Sequence, residues 1–250
     1  LNVGTNPENN LIGGTASGAG NTIAGNLVGV LIYEDALGTP INNTVIGNSI
    51  HSNTGSSFPD SLGIDLADDN NGDFAPEVET GVTANDAGDS DTGANDYLNF
   101  PVLDSSSATA GSLDVQFDLD VEFFANSTAD ASGNGEGEIF LGFHNVAGDV
   151  TDEVATLSIP STFTTGSYAI SATTTERDNS NDGFGATSEF SANLNNQTIT
   201  AAASSGSDDS SSSSDSTGTL ADTGENTYLI FATATTLILS SAYILKKKYL

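Results

Sequence analysis

One acidic loop of the chain has residue types and spacing that suit the binding of a hard cation. The segment "NDAGDSDTGAND" spans residues 85–96 and interleaves acidic side chains with Gly88 and Gly93. Alternating carboxylates around a tight turn are close to the D-x-D-x-G pattern that gathers oxygen ligands around Ca²⁺. The loop lacks the bidentate glutamate and full spacing of an EF-hand, so a solvated acidic turn is the alternative. The predicted calcium ligands are Asp86, Asp89, Asp91, Asn95 and Asp96.

A second acidic stretch, "DLADDNNGD", covers residues 65–73 with less regular spacing. It is a weaker candidate for a metal site. Asp65, Asp68 and Asp69 could also supply the two carboxylates that a glycoside hydrolase needs. We expect Asp65 to lie on a strand and the following residues to form a loop.

The residues present do not favour a polysaccharide lyase or a catalytic triad. Before residue 73 there is no Lys or Arg to act as the base of a polysaccharide lyase or to neutralise a uronic acid. His51 sits in a repeat where a surface position is expected, and His144 has no candidate triad partner or G-x-S-x-G element. We therefore predict that the chain is not an enzyme, with a polysaccharide hydrolase as the specific alternative.

The charge balance of the chain is strongly acidic. Its 250 residues include 34 Asp and Glu but four Lys and Arg, and Arg177 is the one basic residue before Lys246. Such a surface repels nucleic acid phosphates and anionic lipid headgroups, so nucleic acid is excluded as a partner and cations are favoured. The chain has no cysteine, which excludes disulfides and thiolate metal sites.

Three of the four basic residues directly follow the longest apolar run. Residues 228–245 contain no charge, Gly or Pro, and as a helix they would extend about 27 Å, close to the bilayer core. By the positive-inside bias, Lys246, Lys247 and Lys248 mark the cytoplasmic side. We predict one transmembrane helix at 228–245, stop-transfer lysines behind it, and residues 1–227 outside the membrane.

The residues just before this run carry a specific motif. They are Leu220, Ala221, Asp222, Thr223 and Gly224. Followed by an apolar span and a basic tail, the motif resembles the sorting signal of Gram-positive surface proteins, whose usual form is LPxTG; a subset of sortases accepts Ala for Pro. The resemblance implies that a sortase thiolate attacks the Thr223 carbonyl, that Gly224 leaves, and that Thr223 is joined to a cell-wall amine. A permanently retained membrane anchor is the alternative.

Residues 204–219, "SSGSDDSSSSSDSTGT", form a low-complexity segment without any apolar side chain. A segment of this composition cannot bury a face, so it predicts a flexible linker. It also marks the end of the folded region near residue 203.

The first third of the chain contains an internal repeat. "NTIAGN" at residues 21–26 recurs as "NTVIGN" at 43–48, 22 residues later, and "NLIGG" at 10–14 is a partial copy. This spacing fits one turn of a parallel β-helix with asparagines stacked at a corner, and "GVLIY" (29–33) and "GIDL" (63–66) look like equivalent rungs. Two or three turns are fewer than such a stack normally needs, so we expect further turns upstream.

Later segments alternate apolar and polar residues. Between residues 113 and 123 the alternation is strict, which predicts a strand with one face on a core. Similar patterns return at residues 139–143, 168–172 and 190–194. Together they predict a β-sandwich at 104–203, with Asp118, Asp120 and Glu122 on a solvated strand face.

Several further segments of the chain also resemble bacterial surface proteins. Six segments are similar to segments of large bacterial surface proteins that join a right-handed parallel β-helix to a β-sandwich module. In chain order they are "NTVIGNSIHSN", "LGIDLADD", "GVTANDAGDSDTGANDYLNFPVL", "VEFFANS", "SGNGEGEIFLG" and "TSEFSA". The resemblance implies architecture and location. It does not identify a ligand.

The sequence thus predicts an all-β chain: a truncated right-handed parallel β-helix with acidic loops at 1–103, a β-sandwich at 104–203, a flexible linker, and a sorting signal with one transmembrane helix at 220–250. The predicted function is a non-enzymatic, adhesin-like or display protein of the bacterial cell surface, joined by a sortase to peptidoglycan, with an unidentified surface ligand. The alternative is a calcium-dependent glycan-binding module, or a β-helix polysaccharide hydrolase, held by a permanent membrane anchor.

Overall fold

The part of the chain that the structure describes is all-β, as predicted. The computed structural model describes residues 7–34, 38–54, 61–68, 81–109, 112–117, 121–144, 153–177 and 183–204. These residues form thirteen strands and one 3-10 turn, Ala94–Tyr97, and none of their helical segments is long and apolar enough to cross a membrane. The predicted span at 228–245 lies outside the described residues.

Six short strands in the first part of the chain pair in parallel. They are β1 (Leu11–Gly13), β2 (Thr22–Ala24), β3 (Val30–Tyr33), β4 (Thr44–Ile46), β5 (Ser49–His51) and β6 (Ile64–Ala67). β1 pairs with β4, β2 with β5 and β3 with β6. The chain therefore completes one circuit of three strands and then lays a second circuit against it. We call β1–β3 the first coil and β4–β6 the second coil.

The observed stacking differs in part from the predicted repeat. "GVLIY" and "GIDL" are equivalent rungs, as predicted, because Val30 lies beside Ile64. "NTVIGN", however, stacks on "NLIGG", at a separation of 33 residues, and "NTIAGN" stacks on residues 48–53 at a separation of 27. The expected spacing near 22 residues is wrong, because the two similar hexapeptides occupy different corners of successive circuits.

The remaining strands form two antiparallel sheets. They are β7 (Ser105–Thr109), β8 (Ser112–Phe117), β9 (Val121–Asn126), β10 (Ile139–His144), β11 (Glu153–Ser158), β12 (Gly166–Thr174) and β13 (Leu194–Ile199). One sheet has the order β10-β9-β12-β13 and the other β11-β8-β7. Apolar side chains of both sheets share one core, which includes Val121, Phe123, Ala155, Leu157 and Ile170.

The alternation between residues 113 and 123 belongs to two strands rather than one. β8 and β9 lie in different sheets, and Asp118 and Asp120 fall outside the described residues. Glu122 was expected in water, but its side chain is buried. That expectation is wrong because every described residue of β9 is buried: one face lies on the core between the sheets and the other on the second coil.

A second core joins the coils to the sheets. Phe124 of β9 and Phe190 contact the inward side chains of the coils, among them Ile50 and Ile64. The two phenyl rings meet edge to face with centroids 5.5 Å apart, a favourable aromatic geometry. Residues of the predicted ranges 1–103 and 104–203 therefore share a core, within one compact unit, Leu1–Asp208. The second unit, Asp209–Leu250, lies outside the described residues.

We predict that Phe190→Ala lowers the free energy of unfolding by about 3–5 kcal/mol, the usual cost of removing a buried phenyl ring. Phe190 is 2% exposed and touches both coil and sheet residues, so coil and sheets should lose stability together. Chemical denaturation followed by circular dichroism and by aromatic NMR signals measures this. Val154→Ala, at a side chain 51% exposed, is the control and should change little. Separate transitions for the coils and the sheets would contradict the prediction.

Candidate functional site

Asparagine side chains stack between the two coils at three corners. The Nδ2 atoms of Asn10, Asn21 and Asn26 donate to the Oδ1 atoms of Asn43, Asn48 and Asn53, at 2.7, 3.0 and 3.1 Å respectively. The backbone N–H groups of the same first-coil asparagines donate to the same oxygens. The second-coil asparagines return their Nδ2 atoms to backbone carbonyls of Pro7, Ile12 and Ile23. The stacked asparagines that the sequence predicts are thus present.

The far edge of the second coil is buried against the antiparallel sheets, where water cannot satisfy its backbone N–H groups. An unpaired buried N–H costs about 1–3 kcal/mol, so each must find a partner in the protein. Four buried polar side chains supply many of these partners. We call them the polar cap: Asn95, Glu122, Glu136 and Glu189.

Asn95 closes the corner at Asn43. Its Oδ1 accepts the Asn43 N–H at 2.9 Å, and its Nδ2 donates to the carbonyls of Asn43 at 2.8 Å and Thr187 at 3.0 Å. The side chain is fully buried, and the backbone has a φ of 48°, a left-handed conformation that asparagine tolerates better than most residues. Asn95 therefore occupies the position that an asparagine of a third coil would take.

Glu136 closes the corner at Asn53. Its Oε1 accepts the Asn53 N–H at 2.8 Å, and its Oε2 accepts the Ser52 N–H at 2.5 Å. Beside it, Gly137 and Ile50 exchange two backbone hydrogen bonds. This short antiparallel bridge continues the hydrogen bonding of β5 into the segment before β10.

Glu122 and Glu189 complete the polar cap. Glu122 accepts the Gly47 N–H at 3.1 Å. Glu189 accepts the Leu66 N–H at 3.0 Å and the Thr83 N–H at 2.7 Å, so it also fixes the segment that follows the second coil. All four cap residues follow the coils in the chain, which makes the cap a set of long-range contacts.

Burial shifts the titration of the cap carboxyl groups. It raises the pKa of Glu122 and that of Glu189 to about 8, although the N–H donors of Gly47, Leu66 and Thr83 act in the opposite direction. Burial also raises the pKa of Glu136, against the hydrogen bonds from Asn53 and Ser52. No described Lys or Arg offsets this desolvation.

The geometry gives the cap carboxyl groups a structural role. A catalytic carboxylate pair needs access to substrate, but Glu122 and Glu189 are 2% and 1% exposed and bonded to backbone. A cavity of about 10 Å³ adjoins Glu122, Asn48 and Thr173, which is room for about one water molecule. The cap carboxyl groups thus fix the coil edge.

The predicted calcium ligands have different partners in the structure, although Asn99 bonds to both Asp86 and Asp89. Asp86 accepts hydrogen bonds from the N–H and Oγ of Ser90, and Asp89 accepts the Asn99 N–H. Asn95 is turned into the cap instead, while Asp91 and Asp96 are exposed. In the described ranges, no three His, Asp or Glu side chains form a group that could hold a metal ion. The calcium site stays a prediction.

The second acidic stretch begins on a strand, as expected. Asp65 lies on β6 opposite Leu31, is 5% exposed, and has a pKa that burial raises to about 6. Asp68 interacts with Tyr97, whose pKa is raised by burial and by the Asp68 carboxylate. Asp69 lies outside the described residues.

Of the other residues considered as sites, the structure describes His51 and His144. His51 lies on β5 and is partly exposed, with its Nδ1 3.2 Å from the Ser52 Oγ. His144 ends β10. The sorting motif from Leu220 to Gly224 and the lysines after residue 245 lie outside the described residues.

Sequence reasoning assigned no role to Glu136 and Glu189, although both lie in quoted motifs. The available signal for Glu136 was a glutamate between two glycines, in "GNGEGE", whereas Glu189 is followed by Phe190 in "ATSEF" and carries no such signal. Glycine is needed beside Glu136 because a Cβ at Gly135 would lie 2.1 Å from the Ser171 Cβ, and one at Gly137 would lie 2.8 Å from the Phe124 ring. Small neighbours allow the glutamate to approach the coil edge closely.

No protein-family model matches this chain, and no curated protein matches it significantly.

The raised pKa values predict that the fold is more stable in mild acid than in mild base. A carboxyl group with a pKa of 4.5 in the unfolded chain and about 8 in the folded protein binds its proton more tightly in the folded state. Its contribution to the free energy of unfolding is therefore complete below pH 4.5 and is lost as the pH rises to 8. One pKa unit corresponds to about 1.4 kcal/mol. We therefore expect the melting temperature at pH 5 to exceed that at pH 8 by at least about 5 °C.

Glu122→Gln tests the cause, because glutamine keeps an oxygen for the Gly47 N–H and cannot ionise. Its melting temperature should exceed that of the unmodified protein at pH 8 and match it at pH 5. Asp104→Asn, at an exposed side chain, is the matched control and should leave the pH dependence unchanged. Equal pH dependence in Glu122→Gln and the unmodified protein would contradict the assignment.

Proposed function

We propose that this chain is a non-enzymatic surface protein of the bacterial cell wall, adhesin-like or a display stalk, attached by a sortase at Thr223. The observation that carries the proposal is the order of motif, apolar span and basic tail over residues 220–250. Such a composite gives a membrane-held chain that a transpeptidase can reach. The Ser- and Asp-rich segment at 204–219 then serves as a short flexible tether.

In the same proposal, the two coils are the last turns of a right-handed parallel β-helix and the two antiparallel sheets are a β-sandwich. Parallel pairing of β1–β6, the asparagine ladder and the shared core of the two sheets support this architecture. The polar cap makes the sandwich a terminator that closes the end of the β-helix.

The disposition of the carboxyl groups favours display over hydrolysis. The buried glutamates are engaged by backbone N–H groups of the second coil, and Asp65 is buried within a strand. A hydrolase requires two accessible carboxyl groups on either side of a glycosidic bond. Glu122, Glu136 and Glu189 instead accept backbone N–H groups of the second coil.

The attachment step is tested by Thr223→Ala. Removal of the residue that forms the acyl-enzyme should move the protein from the cell-wall fraction to the detergent-soluble membrane fraction. Thr219→Ala, four residues earlier in the linker, is the matched control and should leave the protein in the wall. Fractionation and immunoblotting of producing cells measure the shift.

Mass spectrometry of boiled, detergent-washed walls gives a second readout. The proposal expects a peptide that ends at Thr223 and is joined to a peptidoglycan amine. Full-length protein through Leu250, found entirely in the detergent fraction, would overturn sortase attachment and leave a permanent membrane anchor.

A further inference from the structure

A small cavity lies where the second coil meets the antiparallel sheets. Its volume is about 10 Å³, which is room for about one water molecule, and every side chain that lines it is at most 3% exposed. The lining residues include Val45, Ile50 and Ile64 of the second coil and Glu122, Phe124 and Thr173 of the sheets.

Thr173 brings a hydroxyl group without a protein partner to this cavity. The residue is 1% exposed, and its Oγ1 has no hydrogen-bond partner among the described residues. A buried hydroxyl group in this situation has given up its hydrogen bonds to solvent without replacement, which is unfavourable and uncommon in native proteins. The hydroxyl group can both donate and accept, so a single solvent molecule beside it can restore a hydrogen bond.

Glu122 supplies a second polar group to the same cavity. It lies directly opposite Thr173 on the neighbouring strand, so the two side chains project from the same face of the sheet. The Glu122 carboxyl group accepts the Gly47 N–H, with Oε1 at 3.1 Å and Oε2 at 3.4 Å. Two carboxyl oxygens can form more hydrogen bonds than this one. Glu122 and Thr173 together therefore provide two polar partners, the smallest number that holds a buried water.

Asn48, the other polar residue of the lining, is already fully engaged. Its Oδ1 accepts the backbone N–H and Nδ2 of Asn21, and its Nδ2 donates to the carbonyls of Ile12 and Ile46. The rest of the lining is aliphatic and aromatic, and a purely apolar cavity would stay dry. A dry cavity here would leave the Thr173 hydroxyl group buried and unsatisfied, so hydrogen bonding favours an occupied one.

We propose that one water molecule occupies this cavity and bridges the Thr173 hydroxyl group to the Glu122 carboxyl group. When the carboxyl group is ionised, Thr173 donates to the water and the water donates to a Glu122 oxygen. When it is protonated, Glu122 donates to the water and the water donates to the Thr173 Oγ1. The bridge therefore forms in both protonation states, and it holds whether or not a sortase attaches the chain.

The position of the water makes it part of the junction between coils and sheets. Its polar partners lie on β9 and β12, while Val45, Ile50 and Ile64 enclose it from the second coil. A water enclosed from both sides exchanges with solvent when this junction opens. Its residence time in the protein therefore measures how often the coils and sheets separate.

Magnetic relaxation dispersion of water oxygen-17, measured on the full chain, tests the proposal by counting long-lived internal waters. We expect at least one in the unmodified protein and one fewer in Thr173→Val, which has nearly the same shape and no hydroxyl group. Thr174→Val is the matched control, because Thr174 is also buried with an Oγ1 that has no described partner, but it does not line the cavity. Its count should equal that of the unmodified protein. No long-lived water in the unmodified protein, or an equal count in Thr173→Val, overturns the proposal.

Melting temperatures give a second test with an opposite expectation for a dry cavity. Thr173→Val removes one of the two partners of the water, so it should melt at least about 2 °C below Thr174→Val, which removes an unsatisfied hydroxyl group alone. In a dry cavity both substitutions remove an unsatisfied hydroxyl group, so Thr173→Val melting at or above Thr174→Val overturns the proposal. Thr173→Ser covers the case in which Thr173→Val does not fold. It keeps the hydroxyl group and should keep the water, and loss of the water in this variant also overturns the proposal.

Discussion

The structure depends on how the edge of a parallel strand stack is closed. A coil of parallel strands leaves N–H and C=O groups on its last edge, and these groups either meet water, meet another chain or are covered at the cost of desolvation. Here the edge is buried, and side chains from much later in the chain accept its N–H groups. Asn95 and Glu136 place oxygens where a third coil would place asparagine oxygens, so the part of the chain that follows the coils imitates one more turn of the stack at these two corners. This match holds the coils and the sheets in one unit.

The use of glutamate for this task is consistent with the unusual charge of the chain. A buried carboxyl group without a basic partner retains its proton to higher pH, and a neutral carboxyl group adds nothing to the repulsion among the other acidic residues. Glu122 and Glu189 are therefore compatible with a surface of high negative charge. Each accepts backbone N–H groups of the second coil, and Glu189 also bonds to Thr83, which ties the following segment to the same edge.

Local patterns in the sequence predicted local structure well. The alternation of apolar residues gave strands, and the Asn-rich hexapeptides gave stacked corners, because both depend on neighbours in the chain. The pairing of corners was predicted with the wrong spacing. Two similar hexapeptides can lie at the same corner of two successive circuits or at different corners, and their similarity does not distinguish these cases. Glu122 was placed in water because alternation shows which residues share a face but not what covers that face. Asn95 was predicted to be a calcium ligand for a related reason. Its hydrogen bonds to Asn43 and Thr187 span long distances in the chain, so the sequence of the acidic loop around it does not indicate them.

Side chains from the part of the chain that follows the coils seal the last coil edge. Amide hydrogen exchange, resolved by NMR, tests this at Gly47, Asn53 and Leu66, whose N–H groups are held by side-chain oxygens and by no strand partner. These three amides should exchange as slowly as the central amides of β9, because release requires the coil and sheets to separate. Exchange at rates typical of an exposed strand edge, while β9 stays protected, would contradict the account.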